Sequence, residues 1–349
     1  MPEKSANITK KISIALCTFN GAKFLSEQLE SFLSQTRLPD ELVVCDDCSQ
    51  DGTVNIIESF SRTAPFPVRL YVNEKNLRST KNFEKAISLC IGDLIFLSDQ
   101  DDVWAPRKLE RIEAEFGRNP NFGMVFSNAE LVDENLEPIG HDLWEFSFSR
   151  EDRQKARTGK MLEIVLIKNV VTGATMAFRS DFREMLTRIP TDIPDTIHDA
   201  WIAVVIAANA EVAFLDEKLI RYRQHAGQQL GIEWKYTGKL KKGTRNEKYA
   251  ESVGFRQNEQ ERLSKFNEIF RSFPQFQKHH IKIRIDSLID SLKIENEEMI
   301  RHYEARKNLP PNRFQRIIPV FNEFRSGRYN RFSKGLMSVA KDLFENWQI

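Results

Sequence analysis

Residues 94–104 read LIFLSDQDDVW, in which four apolar residues lead through Ser98 into the acids Asp99, Asp101 and Asp102. This pattern predicts a buried strand that delivers three carboxylates at its carboxyl end. Carboxylates this close raise each other's pKa unless a cation or hydrogen bonds offset the repulsion. Oxygen ligands of this kind suit Mg²⁺ or Mn²⁺ held against phosphate. A solvated acidic turn ahead of a helix is the alternative that the stretch by itself leaves open.

Strand-like and helix-like segments alternate on the N-terminal side of this stretch. Residues 12–17, 41–45 and 68–72 are short apolar runs rich in β-branched residues. Apolar residues at helical spacing follow them, notably at 53–61 and 81–89. Near-continuous apolar strands separated by helices predict an α/β fold with a mainly parallel, Rossmann-like sheet and helices on both faces.

Three polar loops are expected to meet at one edge of this sheet, because such sheets bind ligands beyond the carboxyl ends of their strands. The loops are TFNG at 18–21, DDCSQDG at 46–52 and the acidic loop at 99–102. No G-x-G-x-x-G follows the first strand and no G-x-x-x-x-G-K-[ST] occurs, so dinucleotide and P-loop folds lack their phosphate-binding glycines. We therefore expect phosphate to be held with the help of a metal ion.

Two later segments add candidate residues. Gly173 either allows close approach of a ligand or is a simple turn glycine. His198 and Asp199 open an apolar helix, where an acid in the first turn can also act only as a cap. Residues 219–225, LIRYRQH, form a basic, hydrogen-bonding cluster that ends at His225, and a single histidine is more often structural than a ligand.

Composition restricts the class of protein. A hydrophobic fraction of 41% with 29% charged residues is typical of a globular chain. We see no signal-like N-terminal stretch and no apolar run near the roughly 18 residues of a membrane span, so we expect a cytoplasmic protein. Cys45 and Cys48 have redox-like or zinc-like spacing, but a second pair is missing. We expect Cys17, Cys45 and Cys90 to be core residues.

Charge is divided unevenly along the chain. Residues 231–349 hold 24 Lys and Arg against 15 Asp and Glu, whereas residues 1–230 hold 27 against 35. Between 313 and 341 the basic residues alternate with aromatic ones, a mixture that suits peripheral contact with an anionic membrane. A solvated helical appendage that packs on the body or dimerises is the alternative. Nucleic acid is not an expected partner, because an acidic rim repels phosphate that lacks a metal.

The order of these motifs closely resembles that of the inverting family 2 glycosyltransferases, which have the GT-A fold. The resemblance covers about residues 11–230 and includes LSQT at 33–36. It implies a nucleotide-sugar-binding catalytic domain at 1–230 and a basic, mainly helical C-terminal region at 231–349. It also implies a nucleotide-diphosphate sugar donor, a saccharide or lipid-linked saccharide acceptor, and Mg²⁺ or Mn²⁺ as cofactor.

The resemblance further implies a role for each motif. Asp199 falls where the family carries its general base. Asp99 and Asp101 fill the D-x-D element as metal ligands, with Asp99 also near the donor, and His225 is implied as a further metal ligand. Asp47 is implied to accept a hydrogen bond from the pyrimidine base, and Asp46 and Ser49 are implied to support that loop. The implied substrate-binding residues are Thr18, Phe19, Asn20, Asp46, Asp47, Ser49, Asp99, Gly173, His198 and Arg223.

A narrower resemblance is to bacterial rhamnosyltransferase-like members, which carry SDQDDVW and a late YRQH, here at 222–225. It implies a dTDP-L-rhamnose donor and a place in surface polysaccharide or O-antigen assembly at the inner face of the cytoplasmic membrane. The Q-x-x-R-W element of processive synthases is absent, which favours transfer of a single sugar. The alternatives are a catalytically silent nucleotide-sugar-binding scaffold and a nucleotidyltransferase. The sequence leaves open whether the chain is a homo-oligomer.

Overall fold

The protein is described by a computed structural model that covers residues 10–228, 245–277 and 279–344. The chain divides into two compact units, which we describe separately. The first comprises Met1–Thr191 and Thr196–Ile232, and the second comprises Asp192–Asp195 and Glu233–Ile349. The boundary predicted at residue 230 lies outside the described residues.

The strands described in the first unit form one nine-stranded sheet. Their order across the sheet is β3-β2-β1-β4-β8-β6-β9-β5, and β7 pairs with β6. The strands are β1 Ile12–Thr18, β2 Glu41–Asp46, β3 Val68–Val72, β4 Leu94–Ser98, β5 Val103–Trp104, β6 Phe122–Val132, β7 Pro138–Asp142, β8 Met176–Arg179 and β9 Glu211–Arg223.

Strands β1 to β4 are parallel, as the sequence predicts. Every residue of β1, β2 and β4 is buried, which explains why these strands read as continuous apolar runs. Beyond β4 the pairing changes: β8 is antiparallel to β4 and β6, β6 is parallel to β9, and β5 is antiparallel to β9. The switch brings β9, from far along the chain, to the side of the acidic loop that follows β4.

Helices surround the sheet, and the predicted α/β class is confirmed. Helix α8 is buried from His198 to Ala208, so its first turn, which carries Asp199, lies inside the unit. Two 3-10 turns span Gly173–Thr175 and Ser180–Leu186. The helices are α1 Leu25–Leu33, α2 Thr53–Ser61, α3 Arg78–Leu89, α4 Lys108–Arg118, α5 Leu143–Phe146, α6 Arg150–Arg157, α7 Met161–Ile167 and α8 His198–Asn209.

The described part of the second unit is helical, which confirms the predicted C-terminal helical region. Two long helices pack on each other and are followed by three short ones. They are α9 Arg245–Ser272, α10 His279–Lys307, α11 Arg313–Arg325, α12 Arg328–Phe332 and α13 Leu336–Phe344. A search of the described residues finds no helix with the length and apolar character to cross a membrane.

The four cysteines are free thiols. Cys17, Cys45 and Cys90 are buried, as predicted, and burial raises the pKa of Cys45 to about 11. Cys48 donates from Sγ to the carbonyl oxygen of Asn73, at 2.8 Å. The three buried thiols are protonated core groups rather than nucleophiles or metal ligands.

Candidate active site

A cleft of about 590 Å³ lies beyond the carboxyl ends of β1, β2 and β4. It is the place that the sheet topology predicts for a ligand. Of the predicted site residues, the structure brings these to its wall: Thr18, Phe19, Asp47, Asp99, Asp101, Gly173, His198 and Asp199.

Asp46 lies beneath this wall and does not form part of it. Its carboxylate is fully buried and accepts from the Thr18 hydroxyl at 2.7 Å, and from the Ser49 backbone N–H at 2.8 Å and hydroxyl at 2.6 Å. Ser49 Oγ in turn accepts from the backbone N–H of Asn20 at 2.8 Å. Asp46, Ser49 and Asn20 therefore tie the loops after β1 and β2 together, and we assign them to loop positioning rather than to substrate contact.

Gln100, which the sequence analysis did not select, holds the loop after β1 against the acidic loop. Its side-chain amide donates to the carbonyl oxygen of Phe19 at 3.0 Å and accepts from the backbone N–H of Phe19 at 2.8 Å. A Cβ on Gly21 would lie 2.1 Å from Gln100 Oε1, so this contact requires glycine. The ring of Phe19 is left 47% exposed at the mouth of the cleft, where it can stack on a planar ligand.

Asp47 organises the start of α3. Oδ1 accepts from Asn73 Nδ2 at 2.8 Å and from the Leu77 N–H at 2.7 Å, and Oδ2 accepts from the Arg78 N–H at 2.8 Å. An ionised carboxylate has about four acceptor positions. Three are filled by the protein, which leaves one on Oδ2 for a donor in the cleft.

Arg78 is a cleft residue that sequence reasoning missed. Its backbone has φ of 64°, a left-handed conformation that costs a non-glycine residue about 1–2 kcal/mol. Its N–H donates to Asp47 and also to Asn76 Oδ1, at 2.9 Å, which holds this conformation. The side chain lines the cleft, and its guanidinium makes no hydrogen bond or ion pair with the described residues. The only sequence signal was an arginine three residues ahead of a predicted helix.

Besides Asp47, three carboxylates from two distant parts of the chain share the cleft, namely Asp99 and Asp101 from the acidic loop and Asp199 from α8. Burial, with the charges of Asp101 and Asp199 adding to it, raises the pKa of Asp99 to about 7. No hydrogen bond in the described residues satisfies the Asp99 side chain. The cleft therefore carries a concentration of negative charge that a bound cation would relieve.

The carboxylate of Asp199 is bound by donors from outside its own helix as well as by a backbone N–H of its first turn. Its Oδ1 accepts from Asn169 Nδ2 at 2.9 Å and from the Ala200 N–H at 2.6 Å, whereas Oδ2 accepts from the Gly173 N–H at 3.2 Å. Burial raises its pKa to about 6, although these hydrogen bonds act in the opposite direction. A carboxylate with this pKa is ionised at neutral pH and binds a proton more readily than an exposed aspartate.

Gly173 and His198 shape the wall beside Asp199. The His198 ring stacks on Phe83 with centroids 4.1 Å apart, and burial lowers its pKa to about 3. It is therefore a neutral, packed ring. A Cβ on Gly173 would lie 3.0 Å from His198 Nε2 and 3.6 Å from the Asp199 Cβ, so close packing favours glycine here over the alternative of a simple turn.

His225 lies beside Asp101. Its Nε2 is 2.8 Å from Asp101 Oδ2, and its Nδ1 accepts from the Gly227 N–H at 3.2 Å. Adjacent ligands on an octahedral Mg²⁺ with bonds of about 2.1 Å are roughly 3 Å apart, so this spacing fits a shared ion. The described residues contain no group of three or more His, Cys, Asp or Glu arranged to hold a metal. Asp99, Asp101 and His225 thus do not form a preassembled three-ligand centre, and substrate phosphate oxygens would have to complete the coordination.

Arg223 does not reach the cleft, contrary to its predicted contact with substrate. Its side chain is 1% exposed, donates from Nε to the carbonyl oxygen of Asp101 at 2.6 Å, and pairs with the Glu27 carboxylate. Its backbone N–H donates to Asp102 Oδ1 at 3.1 Å. Arg223 and Asp102 join β9 to the acidic loop, so both act on the site by holding that loop in place.

Tyr222 is a third residue that the sequence reasoning did not select. It lines the cleft, and burial together with the charges of Asp102, Asp99 and Asp101 raises the pKa of its phenol well above the usual value. The phenol is therefore neutral and can donate a hydrogen bond among the carboxylates. Its position next to Arg223 in the basic cluster was the available signal.

Fold and site together define the class of this protein. The sequence model described as "Glycosyl transferase family 2" matches residues 13–186, and the chain belongs to that family. The resemblance found in the motifs is thereby confirmed.

Individual relatives are more distant. EpsE of Bacillus subtilis is 31% identical over 128 residues, which is 37% of this chain and 46% of that protein, so the chain spans about half of that relative. The dTDP-rhamnosyl transferase RfbG of Shigella flexneri is 24% identical over 238 residues, which is 65% of this chain and 77% of that protein.

A solved structure shows the fold. Residues 1–349 of S. aureus TarS, crystallised with UDP-GlcNAc, match with a TM-score of 0.50 at 15% identity, over 93% of this chain and 92% of that chain. This likeness supports the GT-A assignment of the fold.

Proposed function

We propose that this protein is a metal-dependent, inverting glycosyltransferase that moves one sugar from a nucleotide-diphosphate donor to an acceptor hydroxyl. The observation that carries the proposal is the meeting of Asp199, with its raised pKa, and the Asp99–Asp101 pair in one cleft. One carboxylate there is suited to accept a proton, and the others to face a diphosphate through a cation. Membership of the family supports the same reaction.

The reaction is a single displacement. The acceptor hydroxyl gives its proton to Asp199 as its oxygen bonds to the anomeric carbon. The bond from that carbon to the diphosphate oxygen breaks, and its electron pair leaves with the nucleoside diphosphate. The protein supplies a base and an aligned cleft, and no nucleophilic side chain is needed.

Asp101 and His225, with Asp99 nearby, are the residues that would hold Mg²⁺ or Mn²⁺. The ion supplies charge stabilisation to the departing diphosphate. The protein's own contribution is to fix Asp101, because the Arg223 guanidinium holds the carbonyl oxygen of that residue and His225 holds its carboxylate. One part of the cleft is formed by β1, β2 and α3 and is lined by Thr18, Phe19, Asp47 and Arg78. We propose that the nucleoside binds there.

We propose dTDP-L-rhamnose as the donor and a saccharide or lipid-linked saccharide of bacterial surface polysaccharide, such as O-antigen, as the acceptor. The name of the Shigella flexneri relative supports this donor, as do the SDQDDVW and YRQH motifs. The reaction would take place in the cytoplasm, at the inner face of the membrane.

The test incubates the full chain with a panel of nucleotide sugars, with Mg²⁺, Mn²⁺ or EDTA, and measures the nucleoside diphosphate released. We expect turnover of dTDP-L-rhamnose that requires the metal and that falls at least about 100-fold in Asp101→Asn and Asp199→Asn. Asp181→Asn, which changes an exposed acid away from the cleft, is the matched control.

The possible results of this assay test the donor, the catalytic activity and the mechanism separately. Exclusive use of a uridine donor would reject the rhamnosyl assignment but keep the transferase. Tight binding of nucleotide by calorimetry without turnover of any donor would favour the silent scaffold. Full activity in both cleft variants would reject the mechanism.

A further inference from the structure

Helix α11 of the second unit buries charged side chains and exposes apolar ones, the opposite of an ordinary surface helix. Its buried residues include the charged Arg316 and Glu323. Its exposed residues include four large apolar side chains, which are Phe314 at 76%, Ile317 at 54%, Ile318 at 71% and Phe321 at 56%. Their spacing of three, four and seven residues places them on one face. A helix of a soluble domain normally turns such a face inward.

The reversal is fixed by polar contacts on the buried side. Arg316 donates to the carbonyl oxygens of Pro310 at 2.7 Å and Pro311 at 2.6 Å. Glu323 lies 2.7 Å from His302 Nδ1 and accepts from Arg328 Nη2 at 2.7 Å. Turning the helix to hide its apolar face would leave these buried charges without partners, which is costly. The apolar face is therefore held outward by the structure itself.

The stretch of sequence that carries this face is basic. Residues 313–341 contain seven Lys and Arg and one acid, Glu323. That acid is buried and paired with Arg328. Arg316 is buried as well, and Arg331 pairs with Glu295, so the exposed positive charge of the helix itself comes from its two ends. Arg313 and Arg325 are exposed at the two ends of the same helix.

We propose that the exposed face of α11, formed by Phe314, Ile317, Ile318 and Phe321, docks on the surface of an anionic lipid bilayer. Apolar side chains enter the boundary between headgroups and acyl chains, while the basic residues meet the lipid phosphates. Charge argues against a second copy as the occupant, because pairing two such faces would bring like charges together. The proposal is independent of the reaction assigned to the cleft, and it places the enzyme where a lipid-linked acceptor resides.

The test measures co-sedimentation of the full chain with phosphatidylcholine vesicles, with and without phosphatidylglycerol. We expect binding only to the anionic vesicles, weakened at about 0.5 M salt, where the screening length is only a few ångströms. The double variant Ile318→Ser with Phe321→Ser is expected to bind the anionic vesicles at least about tenfold more weakly, because both side chains lose their apolar burial in the bilayer. Ile91→Ser, at a side chain 71% exposed in the first unit, is the matched control and should bind like the parent.

The variants should fold like the parent, because every changed side chain is exposed. Circular dichroism melts check this. Arg313→Gln with Arg325→Gln provides a second measurement, and it should lower binding to anionic vesicles without touching the apolar face. Absence of vesicle binding by the parent, or equal binding by the double serine variant, would overturn the proposal. A dimer in light scattering that the serine variant abolishes, with no vesicle binding, would assign the face to a second copy instead.

Discussion

His225 Nε2 lies 2.8 Å from Asp101 Oδ2, while Nδ1 of the same ring accepts from the Gly227 N–H. Because Nδ1 is an acceptor, a neutral His225 carries its proton on Nε2 and donates it to Asp101. The two side chains are thus paired across more than a hundred residues of sequence, and the pair sits where the diphosphate is expected. Binding of a metal ion would replace this hydrogen bond by two bonds to the ion.

His225→Ala should therefore weaken metal binding. We expect a 10–100-fold rise in the Mn²⁺ concentration that half-saturates turnover, the range typical for loss of a supporting ligand. The measurement is a Mn²⁺ titration of activity at saturating donor, and His141→Ala, an exposed histidine paired with Glu145, is the control. An unchanged titration curve would remove His225 from the metal site.

Asp199→Asn should abolish proton transfer while preserving the size of the side chain. A positioned general base contributes about 10²–10⁴-fold, so kcat should fall by that factor. In the parent, the pKa of about 6 means that lowering the pH protonates the base. At saturating Mg²⁺ or Mn²⁺, which would keep Asp99 ionised despite its raised pKa of about 7, activity should accordingly fall about tenfold per pH unit below 6 and level off above it.

The pH profile of kcat for the two proteins checks this role. Loss of the acid limb in Asp199→Asn, with donor affinity unchanged in calorimetry, is the expected result. An acid limb that persists in the variant would show that another group is the base.

Much of the fold followed from local pattern. The first four strands and α2 lie where the apolar runs predict, because buried parallel strands are marked by continuous apolar sequence. Helix α3 begins at Arg78, ahead of the predicted start at residue 81, because the side chain of Asp47 organises its first turn through a contact distant in sequence.

The site was predictable where it depends on strand ends, and not where it depends on distant contacts. Asp99 and Asp101 follow a strand end and line the cleft as the topology predicts, whereas Asp199, which opens a helix, was expected there only from the family resemblance. Arg223 was misassigned because its burial depends on Glu27 and on the backbone of the acidic loop, which no local pattern shows. Arg78 was missed because only a left-handed backbone at that residue brings it to the cleft wall.

Arg78→Gly separates binding from folding. Glycine adopts the positive φ of 64° without steric cost, so the substitution should leave the melting temperature nearly unchanged. Loss of a charged hydrogen-bond donor to the nucleotide, worth about 1.5–3 kcal/mol, should raise the donor KM roughly 10–100-fold. Kinetics at varied donor concentration provide the measurement, with Arg78→Lys as a partial rescue. A normal KM would place the guanidinium outside the donor site.

Gly173→Ala tests the packing of the wall that holds the base. The new methyl would press on His198, which cannot retreat because its ring is buried and stacked on Phe83, and the Gly173 N–H would shift from Asp199 Oδ2. We expect a loss of about 1–3 kcal/mol in unfolding free energy and a fall in kcat of about tenfold or more.

Gly117→Ala is the matched control. Gly117 lies in the last turn of α4, and a Cβ there would meet nothing within 4 Å. It should gain up to about 1 kcal/mol from helix propensity and keep full activity. If Gly173→Ala loses stability but not kcat, the glycine serves packing alone, and the position of Asp199 does not depend on it.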